Sequence, residues 1–211
     1  MELEIKALRA QMNPHFLFNS LSSIQNLINK QDTDQANHYL SRFSRLMRQV
    51  LNNSETAYIS LEEEMSVLQL YCELEALRFD FEFEIQADPD LDVYTLEIPS
   101  MLIQPFVENA IHHGLEPVDR KGKIKIRFGL SNQLLCCTIE DNGIGIEQSQ
   151  QLKKKNTNKG MSFGIRLAEE RLKMIQSHYG KDLSIEIQDK STLNRKESGT
   201  RIEIYLPSNL S

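Results

Sequence analysis

The spacing of apolar residues changes period near residue 80, and few folds accommodate both halves of such a chain. Upstream of that point, residues 34–51 carry Ala36, Tyr39, Leu40, Phe43, Leu46, Met47, Val50 and Leu51. That i, i+3, i+4, i+7 stripe predicts an amphipathic helix, which Asn52, Asn53 and Ser54 end. Ser60 and Glu63 make an S-x-x-E capping box, opening another helix to about Phe79 with Leu61, Met65, Leu68 and Cys72 on one stripe. A further helix precedes these over residues 10–28, and the short gap after it predicts an antiparallel hairpin. One hairpin cannot cover so wide a stripe, so a four-helix dimer is its natural completion. Downstream, the period falls to two. Residues 123–130 set Ile124, Ile126, Phe128 and Leu130 against Lys123, Lys125 and Arg127, Ser131-Asn132 makes a turn, and residues 134–140 return. Leu183, Ile185 and Ile187 form a third alternating set and Ile202, Ile204 and Leu206 a fourth, with helical stretches at about 100–113 and 164–178. The polar stretches 147–160 and 189–198 read as loops. The fold class expected is α+β: an N-terminal helical hairpin region, residues 1–80, followed by a two-layer α/β sandwich, residues 81–211.

Composition narrows the function classes. Of 211 residues, 40% are apolar and 26% charged, the balance of a globular chain with a real core. No apolar run approaches the ~20 residues of a bilayer span and no signal-peptide pattern opens the chain, so no membrane contact is expected from it. A net charge of −6 argues against a nucleic-acid partner. Cys72, Cys136 and Cys137 are odd in number and lack C-x-x-C spacing, which fits a reducing cytoplasm and neither zinc nor a disulfide framework.

Residues 10–28, AQMNPHFLFNSLSSIQNLI, hold the first candidate for chemistry. At about 100° per residue, Asn19, Ser22, Asn26 and Asn29 fall within roughly 40° of His15, while Leu17, Leu21, Ile24 and Ile28 cluster on the other side. His15 thus lies on a polar stripe, next to the irregularity that Pro14 imposes. A solvated imidazole with a pKa near about 6.5 is largely neutral at pH 7, as a nucleophile must be. By itself, such a histidine reads first as a plain surface residue.

Three further segments carry nucleotide-binding chemistry. Residues 104–114, QPFVENAIHHG, place Asn109 on a helix as a neutral oxygen ligand of the kind Mg²⁺ takes, with Glu108, His112 and His113 on the same turns. At a strand end comes EDNGIGI: Asp141 can accept a hydrogen bond from an exocyclic amine, and Gly143 and Gly145 let backbone approach a flat base. Then NKGMSFGIRLAEERL sets Gly160 and Gly164 ahead of a helix, a phosphate-binding arrangement preceded by Lys153, Lys154, Lys155 and Lys159. Gly199-Thr200 opens the last strand. Each segment taken singly also reads as a polar helix face, a glycine turn or a solvated loop.

Their order and spacing resemble the sensor histidine kinases of the LytS/YehU type, over essentially the whole chain from LRAQMNPHFLFNSL to GTRIEIYLP. The resemblance implies a phosphoacceptor at His15, a magnesium ligand at Asn109, an adenine-reading carboxylate at Asp141, a second glycine box at Gly164 and a final glycine-threonine motif at Gly199-Thr200. It also implies the Bergerat ATP-binding fold shared with gyrase, Hsp90 and MutL, and ATP with Mg²⁺ as cofactors. Autophosphorylation of His15, transfer to an aspartate of a response regulator with a LytTR-type output domain, and a homodimer follow from it. So does a cytoplasmic place for this chain within a parent anchored in the bacterial inner membrane. Three departures stand out. Ser162 replaces the first glycine of the second glycine box, His112 stands where relatives commonly have Lys, and Phe16 follows the phosphoacceptor where many kinases have an acid. Glu108 is the substitute candidate for the base that takes the imidazole proton. Pro105, four residues before Asn109, occupies the place of the water-activating Glu of gyrase-type hydrolases and disfavours a dedicated ATPase. An ATP-binding but kinase-inactive module that signals by dimer rearrangement is the alternative.

Overall fold

A computed structural model describes residues 14–146, 148–149, 184–193 and 197–207. Pro14 opens the first helix, α1 (Pro14–Asn29), at the position where a missing N–H costs no helical hydrogen bond. Gln31 adopts a left-handed backbone (φ 59°) in the tight turn that follows. Asp32 then caps α2 (Thr33–Ser54), its carboxylate accepting from the Gln35 N–H at 3.2 Å. The expected capping box is formed in both directions. Ser60 N–H donates to Glu63 Oε2 at 2.9 Å and Glu63 N–H to Ser60 Oγ at 3.2 Å, starting α3 (Leu61–Ala76).

Five strands make the main sheet: β2 (Phe81–Ala87), β4 (Gly122–Ser131), β5 (Leu134–Asp141), β6 (Ser184–Asp189) and β7 (Thr200–Pro207), in the spatial order β2-β4-β5-β7-β6. Only β2 and β4 run parallel. Register aligns one isoleucine from every strand, Ile85, Ile126, Ile139, Ile202 and Ile187, in a row across the sheet. The alternation in the sequence therefore maps onto one sheet face, buried at Ile126, Ile139 and Ile202 but exposed at Ile187 and Leu130, and Cys137 is buried while its neighbour Cys136 is half-buried on the other side. Strand β2 was not singled out above, although Phe81, Phe83, Ile85 and Ala87 alternate with Glu82, Glu84 and Gln86.

A second, two-stranded sheet joins β1 (Tyr58–Ser60) to β3 (Glu97–Pro99), antiparallel, with Ile59 opposite Ile98. Around it, Leu61 N–H donates to Leu96 O at 2.8 Å and the buried Ser100 Oγ to Asn53 O at 2.7 Å. Residues of α1, α2, α3 and the main sheet belong to one contiguous apolar core. The helical stretch expected at 100–113 begins later, as α4 (Gln104–Asn109), because residues 100–103 turn over β3 with Met101 at φ 57°. It continues as a π-helix, Ala110–Leu115.

Two expectations need correction. Of the stretch 189–198 expected as loop, residues 190–193 form a short helix, α5 (Lys190–Leu193), because Asp189 caps it through Ser191 N–H at 3.0 Å. Of 147–160, residues 148–149 are helical and the remainder, like the helix expected at 164–178, lies outside the described residues. The inner face of α1 also differs from the simple wheel. Phe16, Ser20 and Ile24 face inward, whereas Leu21 (53%), Ile28 (60%) and Phe18 (71%) are exposed. Phe16 sets this rotation by packing against Tyr71 of α3 at 5.1 Å and Phe43 of α2 at 6.3 Å. Among the described residues no helix is long and apolar enough to cross a membrane.

Candidate functional site

The C-terminal end of the QPFVENAIHHG segment meets the loop after β5 directly. Ile144 N–H donates to Gly114 O at 3.0 Å. A Cβ on Gly143 would sit 2.3 Å from that same oxygen, so only glycine allows the approach. Asp141, the last residue of β5, is buried beside this junction. Its Oδ1 accepts from Gly143 N–H at 2.7 Å and from Thr200 N–H at 3.2 Å, and the Thr200 hydroxyl adds a third donor. Desolvation nonetheless pushes its pKa up to about 6, against the lowering effect of those donors. An ionised carboxylate offers about four lone-pair sites, so capacity is left for a donor from outside the protein.

Opposite Asp141, Gly199 holds a left-handed backbone (φ 113°), and a Cβ there would lie 2.1 Å from Asp141 O. Three segments far apart in sequence, ending at Gly114, starting at Asp141 and starting at Gly199, thus close on one carboxylate. Two residues not singled out in the sequence hold this loop. Asp189 Oδ2 accepts from Ile146 N–H at 2.7 Å, next to Gly145, whose φ is 80° and whose added Cβ would meet that oxygen at 2.8 Å. Arg120 donates through Nη2 to both Asn142 O and Ser198 Oγ, tying the loop to the segment before Gly199. A capping signature, Asp189 before Lys-Ser-Thr, is in the sequence. Arg120 carries no such local signal.

The remaining candidates spread along the adjoining helix. Asn109 ends α4, half-buried, and its side-chain amide makes no hydrogen bond to any described residue. Since π-helical bonding runs i to i+5, Gly114 follows Asn109 by roughly one turn, on the same side as the Asp141 cluster. A half-buried neutral oxygen there suits a hard cation that keeps water and phosphate as its other ligands. His113 is half-buried on the same turn. The His112 ring is engaged on the α3 side: Nε2 lies 3.3 Å from Glu75, Nδ1 3.6 Å from Glu116, and Phe79 meets it edge-on at 5.5 Å. Glu108 lines a small cavity together with Gln104, Tyr71 and Phe16. His15 sits in the first turn of α1, next to Phe16, so its turn abuts the helix that bears Glu108. Gly160, Ser162 and Gly164 lie outside the described residues.

Comparisons with known proteins agree with this layout. Residues 3–83 match the family model described as histidine kinase, and residues 97–210 the one described as histidine kinase-, DNA gyrase B-, and HSP90-like ATPase. The sensor histidine kinase YesM of Bacillus subtilis is 30% identical over 98% of this chain and 33% of its own length. The sensor protein LytS of Oceanobacillus iheyensis is 32% identical over 98% of this chain and 34% of its own. The chain therefore spans about a third of the length of these curated relatives. Among solved structures, the histidine kinase domain of a blue-light activated histidine kinase from Erythrobacter litoralis superposes with a TM-score of 0.52 at 16% identity, over 98% of this chain and 95% of that one.

Proposed function

The chain belongs to the histidine kinases of the histidine kinase-, DNA gyrase B- and HSP90-like ATPase family, and from that premise we propose that it phosphorylates itself on His15 at the expense of ATP. The observation that carries the reading is the closure of Gly114, Asp141, Gly143 and Gly199-Thr200 on one buried carboxylate with acceptor capacity to spare. Asp141 would hold the adenine amine, with Gly143, Gly145 and Thr200 shaping the base pocket. Asn109 would hold Mg²⁺, with His113 beside it. Gly160 and Gly164 are the proposed phosphate loop. When bound, ATP and Mg²⁺ supply the phosphoryl group and the charge neutralisation that its transfer requires.

The chain's own contribution is positioning and proton handling. Glu108 would take the proton that the His15 imidazole must give up as its ring nitrogen acts as nucleophile, a role supported by the cavity it shares with Phe16, the residue after His15. Residues 1–80 would carry the phosphoacceptor and the dimer contact, and residues 81–211 the nucleotide. The uncovered Leu21 and Ile28 of α1 and Leu40 and Leu51 of α2 suit a second copy of the chain. An aspartate of a response regulator, with a LytTR-type output domain, would be the final acceptor, and a membrane-anchored parent would place the module in the cytoplasm.

Intact mass after incubation with ATP and Mg²⁺, followed by mapping of acid-labile phosphate, tests the proposal. One phosphate on His15 is expected in the parent and none in His15→Ala, whose nucleotide affinity should stay within about threefold, ~0.7 kcal/mol. Phosphate retained at parent level in His15→Ala overturns the assignment. Tight ATP binding with no phosphate in the parent would leave the non-phosphorylating module instead.

A further inference from the structure

Two glutamates on α3, Glu64 and Glu75, are fully buried, and neither belongs to a nucleotide or phosphoacceptor motif. They are 11 residues apart, three helical turns, and so share one face of the helix. Glu64 Oε1 accepts from Ile103 N–H at 3.2 Å, at the residue that precedes α4. Glu75 Oε2 lies 3.3 Å from His112 Nε2, in the π-helix that continues α4, while its Oε1 accepts from Arg78 Nη1 at 2.5 Å. The two ends of the segment that carries Asn109 thus each meet a carboxylate from the same neighbouring helix, through a hydrogen bond at Ile103 and a close contact without hydrogen-bond alignment at His112. The N-terminal glutamate meets the start of the segment and the C-terminal one its end, so α3 and the segment run in the same direction. A buried carboxylate that loses its partner is strongly penalised, so neither contact can slide without cost. On its other side α3 meets α2, through Arg42 to Glu73 at 2.8 Å and Gln49 to Ser66 at 3.1 Å, while Tyr71, on the same face as the two glutamates, meets Phe16 of α1.

We propose that Glu64 and Glu75 are positioning residues that lock the Asn109 segment onto α3, so that the placement of Asn109 is set by α3 and, through it, by the helical hairpin. The proposal rests on the reading of Asn109 as the magnesium ligand. Its consequence is selective. Loosening either end should displace Asn109, which follows the register of the held segment, and leave Asp141, which is fixed by β5 and by the Gly143 and Thr200 amides.

The test measures the affinity of the intact chain for a non-hydrolysable ATP analogue, once in chelator and once in Mg²⁺, for the parent, Glu64→Gln and Glu75→Gln. The expected result is a metal-free affinity within about twofold of the parent in both variants, and a Mg²⁺-dependent gain in affinity reduced at least fivefold. His112→Asn, at a residue of the nucleotide-binding segment itself, releases the far end while leaving Glu75 on Arg78, and should reduce the Mg²⁺-dependent gain as Glu75→Gln does. The double variant should lose no more than either single one, as two partners of one contact do. Should Glu75→Gln fail to fold, Glu64→Gln and His112→Asn decide. An unchanged magnesium gain, or an equal loss with and without metal, overturns the proposal. A parent with no magnesium gain overturns instead the reading of Asn109 beneath it.

Discussion

Asp141 concentrates the chemistry of the site at the scale of one residue. Its carboxyl is raised from 3.8 to about 6 because burial disfavours the charged form. A carboxylate raised on folding binds its proton more tightly in the folded state, so its contribution to stability is fullest below pH ~4 and declines as pH rises through about 6, by on the order of 3 kcal/mol at most. Nucleotide runs the other way, since an amine donor needs the ionised acceptor. ATP affinity should therefore be level between pH 7 and 8 and fall several-fold by pH 5. Calorimetry in two buffers of different ionisation enthalpy should show a proton released on binding near pH 6, and a flat profile would place the base elsewhere. Asp141→Asn should weaken binding by roughly 1.5–3 kcal/mol, one charge-assisted hydrogen bond. Equal affinity of the parent for ATP and GTP would speak against the assignment. Asp189 acts one step removed, through the Ile146 N–H it accepts. Asp189→Ala leaves that donor without its partner at a cost of about 1–3 kcal/mol, so the melting point and ATP affinity should fall together.

At the scale of an element, α1 separates two kinds of apolar residue that composition treats alike. Phe16 is buried against Tyr71 and Phe43, and Phe16→Ala should destabilise the chain by about 3–5 kcal/mol in denaturant titration. Leu21 and Ile28 sit outside the core that this chain forms by itself. Leu21→Glu with Ile28→Glu should therefore spare the monomer fold and its circular dichroism, while light scattering should report the loss of the dimer proposed for this face. A double variant that stays dimeric would locate the contact on another face. Why α1 carries both sets follows from its neighbours: among the described residues α2 and α3 cover one side and leave Leu21 and Ile28 on the other exposed.

For the whole molecule, the hairpin and the sandwich share one core and are cross-linked by β1–β3 and by Ser100 Oγ to Asn53 O. A single cooperative transition is the expected outcome of scanning calorimetry. A separate early transition lost in Phe16→Ala would show the hairpin unfolding independently. The α3 helix explains the expectation of one transition, since it packs on the hairpin through Tyr71 and Glu73 and on the nucleotide half through Glu64 and Glu75.

Local rules were enough for much of this. Helix stripes, the Ser60–Glu63 capping box, the alternation of β4, β5 and β7, and the glycines flanking Asp141 are all readable in sequence, because each depends on residues within one or two turns of each other. The parallel partner of β4, the rotation of α1, and the roles of Arg120, Asp189, Glu64 and Glu75 are not. Each depends on a contact across tens of residues: Phe83 with Ile124, Phe16 with Tyr71, Arg120 with Ser198, Asp189 with Ile146, Glu64 with Ile103 and Glu75 with His112. A buried glutamate looks like any surface glutamate in a string of letters. Only the chain folded around it decides that its carboxylate must find a partner inside, and which backbone amide or imidazole that partner will be.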